Sequence, residues 1–257
     1  MVSAKKIIRI MDKYKLEKLL LSPQHHNIEN GSYDWLLGLF PDMDPLKMKL
    51  KIDSIFKSQK VNSNFDMKNQ EFINACCLEN NRLKLIYTID IGNDDIIRKL
   101  QSEFGKSPFS ALKINNLFSS LDRNNQNLFR VINFCRINEM PLLLYAYKKA
   151  DCEIIRNLAA ENQSNTFMIA SMSGLEFFEL YRDLPVNLFC EINNLNLVSD
   201  YRLLKALNIF GPGHLVFSFE AINEDNLRHS IIRICNLAVP ETVKRRILAL
   251  NIETLLN

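Results

Sequence analysis

Short apolar runs alternate with longer amphipathic stretches along most of the chain. Runs that are apolar at consecutive positions are typical of strands buried on both faces, and the longer stretches carry their apolar residues at helical spacing. A regular alternation of strands and helices indicates a parallel sheet with crossover helices. The pattern predicts seven strands, at Leu19–Ser22, Leu83–Ile89, Ser110–Ile114, Pro141–Tyr145, Thr166–Ala170, Val186–Glu191 and Leu215–Phe219.

The helices between these strands follow from the same pattern, and Ser3 supplies an N-cap for the first of them. They are predicted at Ser3–Tyr14, Pro45–Gln59, Asp66–Asn80, Asp94–Phe104, Gln126–Asn138, Asp151–Glu161, Leu175–Asp183, Asp200–Leu207, Asn223–Leu237 and Pro240–Leu248. Pro23–Pro45 is polar and rich in turn residues, so we interpret it as a long strand-to-helix loop. Its apolar cluster, Trp35–Phe40, is either a lid packed on the sheet or a contact surface for another subunit.

Composition narrows the class of protein. The chain has 257 residues, of which 47% are hydrophobic, and no interior linker, so we expect a single domain over residues 1–257. A net charge of +3, scattered along the chain, is too small for a surface that tracks phosphates, which excludes nucleic acid as a partner. No run approaches the ~20 apolar residues of a membrane span. The six cysteines form no C-x-x-C pair, and we expect reduced thiols in a cytoplasmic protein.

Several stretches, taken in order, resemble the amidohydrolase-related family, which includes metal-dependent decarboxylases and small-molecule hydrolases. They are Ser3–Pro23, Asn69–Ile89, Ala111–Phe118 ("ALKINNLF"), Met140–Ala146 ("MPLLLYA"), Phe167–Gly174 ("FMIASMSG"), Phe210–Glu220 ("FGPGHLVFSFE") and Arg246–Leu256. The resemblance covers nearly the whole chain. It implies an α/β fold of the (β/α)8 type, a TIM barrel with its active site at the carboxyl ends of the strands.

The resemblance starts after the family's first strand, which carries a His-x-His pair, and the sequence leaves open whether that strand is lost or trimmed. Seven strands are one fewer than a closed eight-stranded barrel needs, so we expect an incomplete or distorted barrel. A missing strand leaves unpaired backbone groups on two edges. We therefore expect that the gap is narrowed by the barrel itself, or covered by a second copy of the chain or by a partner protein.

The metal-binding positions that the resemblance implies are changed. Tyr145 and Ser171 stand at the two later histidine positions, and Glu220 stands at the aspartate position. A hydrolytic zinc site needs three or more N, O or S donors, and tyrosine and serine are poor donors at neutral pH. We therefore expect no metal, no other cofactor and no metallohydrolase activity. A remodelled metal site that uses His25 or His26 is the alternative.

Polar residues at the predicted carboxyl ends of the strands are the candidate site. Lys113 and Glu220 are the predicted catalytic residues, and a lysine beside a carboxylate is expected to stay charged. The predicted ligand-binding residues are Asn115, Tyr145, Tyr147, Ser171, Glu191 and Ser218. The main hypothesis is a degenerate amidohydrolase-like protein that binds a small molecule or a protein. The alternatives are an active hydrolase or decarboxylase with a rebuilt site, a structural partner of a related enzyme, and a filled, inert barrel mouth.

Overall fold

A computed structural model describes most of the chain. The described residues are 4–23, 42–43, 69, 73, 81–105, 109–114, 121–193, 195, 198–220 and 224–256. The predicted loop over Pro23–Pro45 and the predicted helices over Pro45–Gln59 and Asp66–Asn80 lie almost entirely outside these residues.

Seven parallel strands form a closed barrel in which each strand is hydrogen-bonded to its neighbours in sequence order. Their bounds are β1 Leu19–Ser22, β2 Leu83–Ile89, β3 Phe109–Ile114, β4 Leu142–Leu144, β5 Phe167–Ile169, β6 Leu188–Ile192 and β7 Leu215–Glu220. The first two strands have the predicted bounds, and the others differ from the prediction by one or two residues at an end. The (β/α)-barrel prediction is confirmed.

Helices connect the strands and pack on the outside of the barrel. They are α1 Ala4–Tyr14, α2 Ile96–Phe104, α3 Gln126–Ile137, α4 Lys149–Glu161, α5 Leu175–Phe178, α6 Asp200–Phe210, α7 Glu224–Asn236, α8 Glu241–Arg245 and α9 Asn251–Leu255. A 3-10 turn, Ala170–Met172, follows β5, and a π-helical segment, Arg246–Leu250, joins α8 to α9. The helix predicted over Leu175–Asp183 ends early, at Phe178.

The expected gap in the barrel is absent, because β1 pairs on both of its sides. Leu19–Leu21 are in register with Leu83–Leu85 of β2, and Leu20–Ser22 are in register with Ser218–Glu220 of β7. Of the two expected outcomes the first is therefore observed, because the barrel itself closes the gap by direct pairing of β1 with β7. No second chain is needed to cover these strand edges.

Strand alternation sorts the side chains into two cores. Outward-facing residues such as Leu21, Leu112 and Phe217 pack against the helices in the larger cluster. The smaller cluster fills the barrel and consists of Leu20, Ile86, Ala111, Leu143, Tyr145, Met168, Ala170, Val216 and Ile252. Ile252 belongs to α9, which therefore plugs the amino-terminal end of the barrel.

The helix predicted over Pro240–Leu248 continues further than expected, through the π-helical segment and α9 to Leu255. The wider turn of the π-helical segment precedes Asn251, whose side-chain amide donates to Pro212 O at 2.8 Å and Leu215 O at 2.7 Å, next to the start of β7. A cavity of about 910 Å³ lies beside this segment, between the α1–β1 turn and α8–α9. It is at the amino-terminal end of the barrel, opposite the predicted site.

Candidate functional site

The upper part of the barrel interior is polar. Because Leu112 and Ile114 face outward, Lys113 of β3 faces inward, and the same alternation turns Glu191 of β6 inward between Cys190 and Ile192. The interior side chains toward the carboxyl end are all buried, and they are Ser22, Thr88, Lys113, Glu191, Asn193, Ser218 and Glu220. The predicted site residues on β3, β6 and β7 therefore lie together in the buried interior of the barrel.

Lys113 and Glu191 form an ion pair inside the barrel. The Lys113 Nζ lies 3.9 Å from Glu191 Oε2, and the two side chains are 1% and 0% exposed. This distance is longer than a hydrogen bond. Glu191 therefore balances the charge of Lys113 but does not accept a hydrogen bond from the ammonium group. The ammonium also lies over the ring of Tyr145, 4.9 Å from the ring centroid, in a cation–π contact.

These neighbours determine the charge state of Lys113. Burial by itself lowers the pKa of the Lys113 ammonium, but the charge of Glu191, followed by Tyr145 and Glu220, raises it. The net effect is a pKa well above the ordinary lysine value. A raised pKa keeps Lys113 protonated at neutral pH. This agrees with the expectation from the sequence that a lysine beside a carboxylate stays charged.

Glu191 connects Lys113, Ser171 and Ser218, which together with it we call the Glu191 cluster. Its Oε1 accepts a hydrogen bond from Ser218 Oγ at 2.6 Å, and its Oε2 accepts one from the Ser171 N–H at 2.9 Å. Both carboxylate oxygens are thus engaged, and Oε2 also faces Lys113. Hydrogen bonds to an ionised carboxylate hold its orientation.

The backbone that presents the Ser171 N–H to Glu191 is strained. Ser171 and Met172 are consecutive residues with φ of 54° and 52°, in the left-handed region that non-glycine residues rarely adopt. Such conformations cost of order 1–3 kcal/mol each and are concentrated at functional sites. Glycine follows two residues later, and Gly174 also has a positive φ, of 66°.

Neighbouring loops hold the side of the candidate site at the end of β4. Tyr145 and Tyr147 are stacked, with ring centroids 5.4 Å apart and planes 15° apart. The Asp151 carboxylate accepts the N–H groups of Tyr147 and Lys148, each at 3.0 Å. Ser173 Oγ accepts the Ala146 N–H at 2.9 Å, which joins this side to the turn after β5.

The structure brings together most of the residues that the sequence singled out, namely Lys113, Tyr145, Tyr147, Ser171, Glu191, Ser218 and Glu220. Asn115, His25 and His26 lie outside the described residues. Sequence reasoning missed Ser22, which ends the apolar run of β1 and is in register with Glu220. It also missed Asn193, two positions after Glu191 on the same face of the chain. A polar residue at the end of an apolar run is a signal that applies to both.

The described residues do not fit a transition-metal centre. Among them, no three His, Cys, Asp or Glu side chains converge on one point. Glu191 already has a cation beside it, in Lys113, and its two oxygens accept other hydrogen bonds. We therefore derive no chemical step through a metal ion.

Comparisons with known proteins identify the fold. No protein-family model matches the sequence, and no curated protein matches it. Solved structures do match, among them a 2,6-dihydroxybenzoate decarboxylase from Rhizobium, with a TM-score of 0.61, 13% identity, and coverage of 97% of this chain and 87% of that one. A 5-carboxyvanillate decarboxylase from Sphingomonas paucimobilis has a TM-score of 0.61, 10% identity and coverage of 97% and 81%.

An amidohydrolase from Burkholderia multivorans also matches, with a TM-score of 0.57, 11% identity, and coverage of 91% of this chain and 97% of that one. At these identities the likeness establishes the fold alone, which is that of the amidohydrolase-type barrel. These neighbours are named as enzymes, so they give no support to the expectation of a degenerate protein, and they do not show that metal ligands have been lost.

Two further expectations concern the environment of the chain. In the described part, no helix combines the length and the apolar character that a membrane crossing requires. The described cysteines Cys135, Cys152, Cys190 and Cys235 take part in no disulfide, and the first three are buried. A cytoplasmic location stays a prediction.

Proposed function

We propose that this chain is an enzyme of the amidohydrolase fold that hydrolyses or decarboxylates a small organic anion, in a site rebuilt around Lys113. The observation that carries the proposal is a buried ammonium group that faces the barrel interior at the carboxyl ends of the strands. Barrel enzymes place their active sites at that end. A buried cation there, held charged by its neighbours, supplies positive potential of the kind that a metal ion supplies, and two structures of similar fold are described with bound zinc and bound manganese.

Lys113 acts electrostatically in this proposal. Its raised pKa keeps it protonated, so it stabilises a substrate carboxylate, or an oxyanion that develops during the reaction, rather than removing a proton. Glu191 orients Lys113 and Ser218. We assign proton transfer to Glu220, a buried carboxylate at the end of β7 that contributes to the charge around Lys113.

The first substrates to test come from the names of the structural neighbours. Those names specify 2,6-dihydroxybenzoate and 5-carboxyvanillate, and both are small aromatic carboxylates. The stacked Tyr145–Tyr147 pair beside the ammonium favours a planar ligand of this kind. For this chain the substrate is therefore proposed as a class, a small planar carboxylate.

The test compares two lysines that both face the barrel interior. Lys84 lies at the amino-terminal end of β2, in register with Leu20, whereas Lys113 lies toward the carboxyl end of β3. We expect Lys113→Met to abolish ligand-induced thermal stabilisation and carbon dioxide release with the two aromatic acids, and Lys84→Met to retain both. Full binding and turnover by Lys113→Met would overturn the role of Lys113.

Metal analysis of the purified protein completes the test. We expect activity to persist after dialysis against a chelator, because the proposed site uses an ammonium group as its cation. Stoichiometric zinc or manganese, lost together with activity on chelation, would show that residues other than the described cluster form the site.

A second candidate function is binding without catalysis, either of a small molecule or of a partner protein or second copy of the chain. The observation that favours it is that both carboxylate oxygens of Glu191 are already engaged, by hydrogen bonds from Ser218 and Ser171 and by the ion pair with Lys113. Under this alternative the aromatic acids stabilise the protein but no product forms. A measurement of molecular mass in solution tests the homo-oligomer.

A further inference from the structure

Arg202 is the largest side chain that the described part of the fold buries completely. It lies in the first turn of α6, three residues after the N-cap residue Ser199, whose Oγ accepts the Arg202 N–H at 3.1 Å. Burial of a guanidinium is unfavourable unless its N–H groups have partners. The partners of Arg202 therefore show what holds it inside the protein.

Two of these partners are main-chain carbonyl groups. The Arg202 Nη2 donates to Met172 O at 2.7 Å, and Nη1 donates to Asp42 O at 2.6 Å. The carboxylates of Asp42 and Glu176 lie 3.4 and 3.5 Å from the guanidinium and balance its charge. Arg202 thus bridges α6, the start of α5 and the turn that follows β5.

That turn is the one that reaches Glu191. Met172, whose carbonyl group Arg202 binds, has a positive φ, as does Ser171 before it. The Ser171 N–H donates to the same Glu191 oxygen that faces Lys113. Left-handed backbone at two successive non-glycine residues persists only where surrounding contacts impose it. The contact from Arg202 to Met172 O is such a contact.

We infer that Arg202 is a positioning residue of the candidate site, which holds the Ala170–Met172 turn so that the Ser171 N–H points at Glu191. Arg202 touches neither Lys113 nor the proposed substrate, and it acts through the turn. The inference deepens the proposed function, on which it rests for what the site does. The positioning itself is a property of the protein without substrate and is tested in that state.

The experiment observes the Lys113 ammonium directly, by proton–nitrogen NMR of the lysine side chains of the ¹⁵N-labelled full chain. A buried ammonium exchanges its protons slowly enough to give a signal, which Lys113→Arg identifies by its loss. We expect Arg202→Met and Arg202→Lys to shift this signal, because the Glu191 carboxylate is then no longer held by the turn. Lysine keeps the charge of Arg202 but lacks the planar fork that reaches two carbonyl groups.

Arg233→Met is the matched control. Arg233 of α7 also binds a carboxylate, Asp200, and a main-chain carbonyl, Leu195 O, but it does not contact the turn after β5. We expect it to lower the melting temperature and to leave the Lys113 signal in place. Ser171→Gly in the Arg202→Lys background should return the signal toward its original position, because glycine adopts the left-handed conformation without help.

The outcomes separate the two proposals. An unshifted Lys113 signal in folded Arg202→Lys, or an equal shift in Arg233→Met, would overturn the positioning role. If Arg202→Met does not fold, Arg202→Lys and its glycine rescue carry the comparison. A shifted signal in a protein that neither binds nor converts an aromatic acid would leave the positioning role intact and refute the proposed function.

Discussion

Replacement of Glu191 by glutamine isolates the charge of the buried pair. The change keeps the shape of the side chain and removes the negative charge that lies 3.9 Å from Lys113 Nζ. With an effective dielectric constant of about 20, Coulomb's law gives a loss of about 4 kcal/mol at this distance. Removal of one partner of a buried ion pair typically costs about 3–5 kcal/mol, which agrees with this value.

A double-mutant cycle measures the interaction by urea-induced unfolding followed by circular dichroism. It consists of the original chain, Glu191→Gln, Lys113→Met and the double variant. Lys113→Met should lower the free energy of unfolding less than Glu191→Gln does, because in Lys113→Met the Glu191 carboxylate keeps its hydrogen bonds from Ser218 and Ser171. We expect the two effects to be non-additive by at least about 2 kcal/mol. Strict additivity would refute the claim that the two charges stabilise each other.

The pH dependence gives a second test. In the original chain the pKa of Lys113 is raised, so its stabilising contribution is complete below the unfolded value of about 10.4 and is lost as pH rises above it. In Glu191→Gln the largest raising influence is gone, so the pKa of Lys113 is lower than in the original chain. That variant should therefore lose less stability than the original chain as pH rises above about 10.4. Parallel pH profiles would contradict this account.

Three smaller changes test the backbone and the plug of the barrel, each by urea-induced unfolding. Gly174→Ala should lower the free energy of unfolding by about 3 kcal/mol, because φ at this position is 66° and the added Cβ would lie 2.7 Å from Ala146 O. Gly105→Ala is the control: nothing lies within 4 Å of its added Cβ, so it should change the free energy of unfolding by less than about 1 kcal/mol. Equal effects would refute the close approach. Ser171→Gly should stabilise the chain by about 1 kcal/mol by relieving its positive φ, and a loss of stability would show that its side chain matters more. Asn251→Ala should lower the free energy of unfolding by about 2 kcal/mol, because the carbonyl groups of Pro212 and Leu215 lose their hydrogen-bond donor. An unchanged unfolding midpoint would mean that water replaces the Asn251 amide.

The strands could be predicted from the sequence because each is a continuous apolar run between polar segments. Leu19–Ser22 and Leu83–Ile89 match the structure at both ends for this reason. The closure of the barrel could not be predicted, because sequence pattern shows where strands are but not which strands pair. The counting argument assumed that a strand missing from eight leaves a gap, and the direct pairing of β1 with β7 removes that gap.

The candidate site could also be predicted in part from the sequence. Lys113, Glu191 and Glu220 were recognisable because charged residues at the ends of apolar runs lie at the carboxyl edge of a parallel sheet. The central position of Glu191 was not, since it depends on hydrogen bonds from β7 and from the turn after β5. Arg202 gave no signal at all, because an arginine in a helix of mixed composition is ordinarily exposed.

The number of strands and the internal ion pair are physically connected. In a closed barrel of seven strands, β3 and β6 are three strands apart in one direction and four in the other, so Lys113 and Glu191 face each other across the axis. Barrel diameter grows roughly linearly with strand number, which makes this interior about one eighth narrower than that of an eight-stranded barrel. A single lysine side chain can then bridge it to a carboxylate on the opposite wall. In a wider barrel the same two side chains would lie further apart, so the direct pairing of β1 with β7 brings Lys113 within reach of Glu191.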